Sequence, residues 1–228
     1  MRANGLEFGV LAAGAGPLAL CLHGFPDTAH TWEHLLPTLA GAGFCAVAPF
    51  MRGYAPTAVP ADGAYDIGTL AADALALHEA LGGGRDAVLI GHDWGAEAAV
   101  AADGMAFRDR LWADWSPGYH PGQHLARVKQ SLRPANLAAA IGYYRAADPP
   151  SMPRAPQGTT RQAAGPAPPP TLYLHGANDG CISAGLARRA APLLPPPSRM
   201  IVIDGAGHFL HREKPREVND HILAWVTS

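Results

Sequence analysis

The sequence is poor in the residue types that would announce a specialised partner. Only 3 cysteines occur in 228 residues, Cys21, Cys45 and Cys181, odd in number and without C-x-x-C spacing. That excludes a disulfide framework and a zinc knuckle, and points to a reduced, cytoplasmic setting. Charged residues make up 16%, the net charge is -2, and Lys and Arg form no runs, so no electrostatic footprint for nucleic acid or an anionic membrane is present. No apolar run approaches the roughly 18 residues a membrane span needs. The opening MRANGLEFGVLAAGAGPLAL is broken by Glu7, Pro17 and repeated glycine, which excludes a signal-peptide core, and Met1 reads as the mature start. Internal repeats are missing too. What is left, 48% hydrophobic, describes a globular chain able to bury a core, with a small neutral molecule as its default partner. The pattern carries no sign of oligomeric state.

Short apolar runs alternate with longer amphipathic ones. Strands are expected over 6 to 12, in PLALCLHG (17 to 24), FCAVAPF (44 to 50) and RDAVLIGHD (85 to 93). Helices are expected in HTWEHLLPTLAGAG, in YDIGTLAADALALHEALGG and in GAEAAVAADG. TLYLHG (171 to 176), SAGLARRAAPLL, RMIVIDG (199 to 205) and REVNDHILAWV resume the alternation near the end. This argues for an α/β fold, a mostly parallel sheet flanked by helices on both faces. Between about 101 and 170 no β-branched run occurs; RDRLWADW, HLARVKQSL and NLAAAIGYYRAA read as helices of an insertion. The division expected is therefore a first core part over 1 to 100, a helical insertion over 101 to 150, a proline-rich linker over 151 to 170, and a second core part over 171 to 228.

VLIGHDWGAE (88 to 97) has the outline of a nucleophile elbow, with Gly91 and Gly95 two positions either side of Asp93, at a strand's end and a helix's start. Locally, Asp93 could equally cap that helix. LHGFPDTAH (22 to 30) brings H-G-x-P to another strand end, where the amides of Phe25 and Trp94 would form an oxyanion hole; a tight, cis-prone turn at Pro26 is compatible with this. Asp179 follows the strand in LYLHGANDG and His208 the strand in IVIDGAGHF. The order Asp93, Asp179, His208 is that of nucleophile, acid and histidine in α/β-hydrolases, at the strand ends where such sheets bind ligands. Asp204, His211 and His92 are weaker candidates for the same roles.

HGFPDTAHTW, APFMRGYAPT, GHDWGA, HGANDG and GAGHFLHREKP together resemble the epoxide hydrolase group of the α/β-hydrolase fold, over roughly 4 to 100 and 171 to 228. The resemblance implies Asp93 as nucleophile, His208 as base and Asp179 as its orienting acid. It implies a cap over the pocket, shortened here, and reads the Tyr-Arg of AIGYYRAAD as the second cap tyrosine. Tyr144 would then donate a proton to the opening ring, with Tyr143, Trp32 and Pro26 lining the substrate. Two core tyrosines of a cap helix are the alternative. Relatives normally place a sixth strand and another ring-opening tyrosine after the elbow helix; nothing in AADGMAFRDRLWADWSPGYHP reads as that strand, and no motif supports Tyr119 as the replacement. Phe50 stands where many relatives have Asp.

The chemistry accounts for an aspartate at the tip. A serine attacking saturated carbon would form an ether, whereas a carboxylate forms an ester that histidine-activated water can hydrolyse. The expected activity is opening of an epoxide to a vicinal diol, with no metal or organic cofactor called for; His120 with His124 and His208 with His211 lack a third ligand. A haloalkane dehalogenase would use the same nucleophile but usually has Asn where Phe25 stands, and a fluoroacetate dehalogenase has Arg where Trp94 stands. A binding protein that has lost turnover with the missing segment is the reading from another class.

Overall fold

The computed structural model describes residues 1–84, 86–93, 112–132, 136, 139, 140, 142 and 170–228. Its strands are β1 (Arg2–Ala3), β2 (Leu6–Glu7), β3 (Val10–Ala13), β4 (Leu18–Leu22), β5 (Cys45–Pro49), β6 (Val88–Gly91), β7 (Leu172–Gly176) and β8 (Arg199–Ile203). The helices are α1 (Leu35–Gly41), α2 (Ile67–Ala80), α3 (Gln123–Ser131), α4 (Ala184–Ala190), α5 (Leu210–Glu213) and α6 (Pro215–Val226). A helical turn also covers 112 to 115. The elbow helix, the linker, and Tyr143, Tyr144 and Trp94 lie outside the described residues.

β3, β5, β4 and β6 form one sheet in that order, with β4 parallel to both β5 and β6 and β3 antiparallel at the edge. β7 and β8 form a separate parallel pair. The central strands β4 and β5 are buried on both faces, as the interior of a parallel sheet requires. Ala19, Cys21, Ala46 and Ala48 point into one core with Leu39 of α1, Trp112, Phe209 and Ile222 of α6. The alternate residues Leu18, Leu20 and Val47 pack on the other side with Phe8 and Leu77 of α2. Small residues on the first face let α1 and α6 approach closely. Helix starts follow local chemistry: Asp66 accepts the Thr69 amide at the start of α2, Ser183 accepts the Leu186 amide at the start of α4, and Pro215 opens α6.

Two expected elements are split. HTWEHLLPTLAGAG is a 3₁₀ turn over Ala29–Trp32 followed by α1, not one helix, because Pro37 has no amide to bond the Glu33 carbonyl and its ring would crowd that group. The strand expected over 6 to 12 is β2 and then β3, broken at Phe8 and Gly9. Phe8 is buried, and a Cβ on Gly9 would lie 2.4 Å from the Pro56 ring. Among the described residues, β6 and β7 pair with no strand on their facing sides. Leu89, in mid-β6, is accordingly 64% exposed.

Candidate active site

Asp93 lies two residues past the end of β6 with φ of +40°, in the left-handed region that non-glycine residues seldom occupy. Such a conformation persists only where surrounding structure imposes it, and it is what a tip between strand and helix demands. The neighbouring H-G-F-P loop presses on the tip from one side: a Cβ on Gly24 would sit 2.3 Å from the Asp93 carbonyl oxygen. Only glycine lets that loop come so near, and it carries the fully buried Phe25 up to the elbow. The Phe25–Pro26 peptide is cis. His23 anchors the loop from below, its Nδ1 donating to the Gly24 carbonyl and its Nε2 accepting the Met51 amide. Burial pulls its pKa down to about 4, so it is neutral at neutral pH.

Asp179 lies in the turn after β7, and its Oδ1 accepts the amides of Cys181 (2.8 Å) and Ile182 (2.9 Å). The other oxygen, Oδ2, is 3.0 Å from His208 Nδ1. On the far side of the ring, His208 Nε2 is 2.6 Å from Asp93 Oδ2. The three side chains are 4%, 1% and 5% exposed for His208, Asp93 and Asp179; the solvent exposure of Asp93 as a residue is therefore that of its backbone. Three residues far apart in sequence thus converge on one imidazole.

The electrostatics follow. Burial alone would lower the His208 pKa, but hydrogen bonds and charges from Asp179 and Asp93 outweigh it and raise the value to about 9. Asp179 is likewise opposed by burial, yet the imidazole and the two amides hold it below the usual carboxylate range. At neutral pH the resting imidazole is protonated, held between Asp179 and Asp93. The second oxygen of Asp93, Oδ1, is buried with no hydrogen-bond partner among the described residues. A cavity of about 650 Å³ adjoins these groups, running between β6 and β7 and walled by Leu89, Leu172, Leu174, Ile222 and Trp225. Its size and apolar walls suit a small organic molecule.

The cavity has the features of a hydrolase site, and similarity gives the family. Residues 19–221 match the model of the alpha/beta hydrolase family. The chain belongs to that family. Among similar proteins of the family, Epoxide hydrolase A of Mycobacterium tuberculosis is 29% identical over 307 residues, covering 98% of this chain and 95% of that protein. An epoxide hydrolase of Caballeronia sordidicola is 45% identical over 97 residues, which are 42% of this chain and 29% of that one. The crystal structure of Epoxide Hydrolase A from Mycobacterium thermoresistibile shares the α/β-hydrolase fold with a TM-score of 0.81 at 22% identity, covering 100% and 97% of the two chains.

Other expected residues of this α/β hydrolase have distinct places. Trp32 is buried, lies 4.9 Å from the His211 ring at a tilt of 32°, and reaches the cavity wall. Pro26 is buried in the loop beside Phe25. Tyr119 is half-buried beside Trp112 and does not line the cavity. Asp204 is exposed, and His92 turns beneath the tip, where its Nε2 donates to the His208 carbonyl at 2.9 Å. His211 bonds Thr31 at 2.5 Å, and burial holds its pKa well below the ordinary value. His124 is the buried partner of Asp27, at 2.8 Å. Sequence reasoning missed that pair, and missed His175, whose Nε2 donates to the Ile182 carbonyl across the Asp179 turn while its Nδ1 accepts the Tyr173 hydroxyl. The H-G-F-P-D motif contained Asp27, but its partner lies 97 residues away. Among the described residues no helix is long and apolar enough to cross a membrane.

Proposed function

We propose that this α/β hydrolase opens epoxides to vicinal diols through an ester on Asp93. One observation carries the reading: a carboxylate sits at a left-handed elbow tip, 2.6 Å from a histidine whose other nitrogen is held by a second carboxylate. The named relatives above are epoxide hydrolases, which supports this chemistry over dehalogenation.

In the first step an Asp93 oxygen attacks a ring carbon. A C–O bond forms to the enzyme, the ring C–O bond breaks, and the released alkoxide takes a proton, for which Tyr144 is the proposed donor. Oδ1 is the better attacking atom, since Oδ2 shares its lone pairs with His208. Ester formation removes the charge of Asp93 and with it part of what raises the His208 pKa. The imidazolium then gives up its proton, which by way of solvent restores the hydroxyl of the proposed donor Tyr144, and becomes a base. Water deprotonated by His208 adds to the ester carbonyl, the amides of Phe25 and Trp94 take the oxyanion, and collapse regenerates the Asp93 carboxylate and frees the diol. Asp179 keeps the ring oriented and stabilises its charged form throughout.

The shortened cap belongs to the same proposal: residues 101 to 150 would form a reduced helical cap over the site, joined by the proline-rich stretch 151 to 170 to the second core part. The test is product analysis with an aryl and an alkyl epoxide. Diol formation by the wild-type protein and its loss in Asp93→Asn are expected; halide release from bromoalkanes without any diol would overturn the assignment.

A further inference from the structure

The loop carrying His208 runs from the end of β8 to the start of α5. Three consecutive amides of that loop are captured from outside it. The Gly207 amide donates to Glu213 Oε2 at 2.9 Å, the His208 amide to the Trp115 carbonyl at 2.8 Å, and the Phe209 amide to Ser116 Oγ at 3.0 Å. Ser116 is fully buried, and its hydroxyl donates in turn to Glu213 Oε1 at 2.6 Å. The same Trp115 carbonyl also accepts the Gly180 amide at 3.2 Å, next to Asp179. One carbonyl therefore ties the acid turn to the base loop. Packing leaves no slack: a Cβ on Gly207 would lie 2.5 Å from Ser116 Cα, and one on Gly180 would lie 2.0 Å from the Asp114 carbonyl oxygen. Trp112 stacks on Phe209 at 3.6 Å, and Trp115 meets the His208 ring edge-on at 4.9 Å.

We infer that Ser116 and Glu213 are positioning residues, a clamp that sets the distance from His208 to Asp93 and Asp179 from outside the site. Neither touches the reacting groups. Glu213 serves two donors at once with its two oxygens, and Ser116 passes the constraint on by accepting from the loop while donating to Glu213. β7 and β8 pair as far as Gly176 and Ile203, and the segment 112 to 116 carries that tie beyond the strand ends, fixing the spacing of the acid and base loops.

The kinetic readout rests on the epoxide hydrolase reading; the spectroscopic one does not. Glu213→Ala leaves the Ser116 hydroxyl and the Gly207 amide without their acceptor, Ser116→Ala leaves the Phe209 amide without one, and Glu213→Gln keeps an acceptor for Gly207 and a partner for Ser116. Loosening the loop by a fraction of an ångström should lower kcat by about 10- to 100-fold with KM little changed. His208 faces Asp93, Asp179, His92 and His211, none of which is altered; Glu213→Ala and Glu213→Gln lose the same carboxylate charge, so the imidazole pKa of Ser116→Ala and the difference between the two Glu213 variants in an NMR titration report lost geometry. The expected results are a drop in that pKa in both alanine variants, with Glu213→Gln restoring most of it. Ser116→Ala removes a single atom and keeps the question open to measurement should Glu213→Ala not fold. An imidazole pKa and a kcat per folded molecule unchanged in Ser116→Ala and in folded Glu213 variants would overturn the clamp. A wild-type protein without diol formation would sink the functional reading and leave the NMR titration to decide the clamp.

Discussion

Replacing Asp93 by Asn should change the acid strength of His208 before it changes anything else. His208 is raised from 6.5 to about 9 against its own burial, and Asp93 contributes both a hydrogen bond and a charge to that rise, the other contributions being those of Asp179. The rise corresponds to roughly 3 kcal/mol of preference for the charged ring. An amide at position 93 keeps the shape and removes the charge, so the imidazole pKa should fall by about 1 to 3 units. The stability consequence has a definite sign. A folded pKa above the unfolded one stabilises below the unfolded value of 6.5 and loses that contribution as pH rises through about 9. The wild-type protein should therefore lose up to roughly 3 kcal/mol between those pH values that the variant does not lose in full. A ¹H–¹³C titration of the imidazole, paired with urea unfolding at pH 6.5 and 9, measures both. A His208 pKa that stays at about 9 in Asp93→Asn would refute the reasoning, and with it the idea that ester formation prepares the base.

Two further outcomes follow from groups below the site. His124→Ala leaves the fully buried Asp27 carboxylate, among the described residues, with the Thr28 amide alone on its Oδ1, which should cost about 3 to 5 kcal/mol near neutral pH, measured by urea unfolding. Because the Asp27 pKa is depressed, the pair's contribution is present above the unfolded value of 3.8 and vanishes as pH falls through the folded one; a cost below 1 kcal/mol at pH 7 would contradict the pairing. His23, held near pKa 4 by burial, binds its proton in the unfolded chain first, so stability should fall by up to about 3 kcal/mol as pH drops from 6.5 to 4, with His92 and His211 adding to it. A thermal midpoint that is flat over that range would refute the neutral buried histidines.

The parts of the fold legible in the sequence are those specified locally. β4, β5, β6, β7 and β8 each fall inside the apolar run that announced them; for β4 and β5 the reason is that a strand buried on both faces must be apolar along its length. Asp93, Asp179 and His208 were legible because each sits at a strand end in a glycine-marked turn. What was not legible depends on chain segments that meet only after folding. The Trp115 carbonyl has no sequence signature, since every residue has one. Ser116 and Glu213 are 97 positions apart, as are Asp27 and His124, and either pair could as well have been solvated side chains. The split at Pro37 was readable from proline chemistry alone, and the apolar spacing on both sides concealed it.

The central claim, a covalent ester on Asp93, is tested most directly by stopping the reaction after its first half. His208→Gln protein keeps the nucleophile and removes the base that would clear the ester. Incubated with an epoxide and examined by intact mass, it should gain the mass of one epoxide, localised by peptide mapping to Asp93 and absent in the Asp93→Asn, His208→Gln double variant. A wild-type protein that forms diol while the His208→Gln protein never gains mass, or gains it at another residue, would contradict the account.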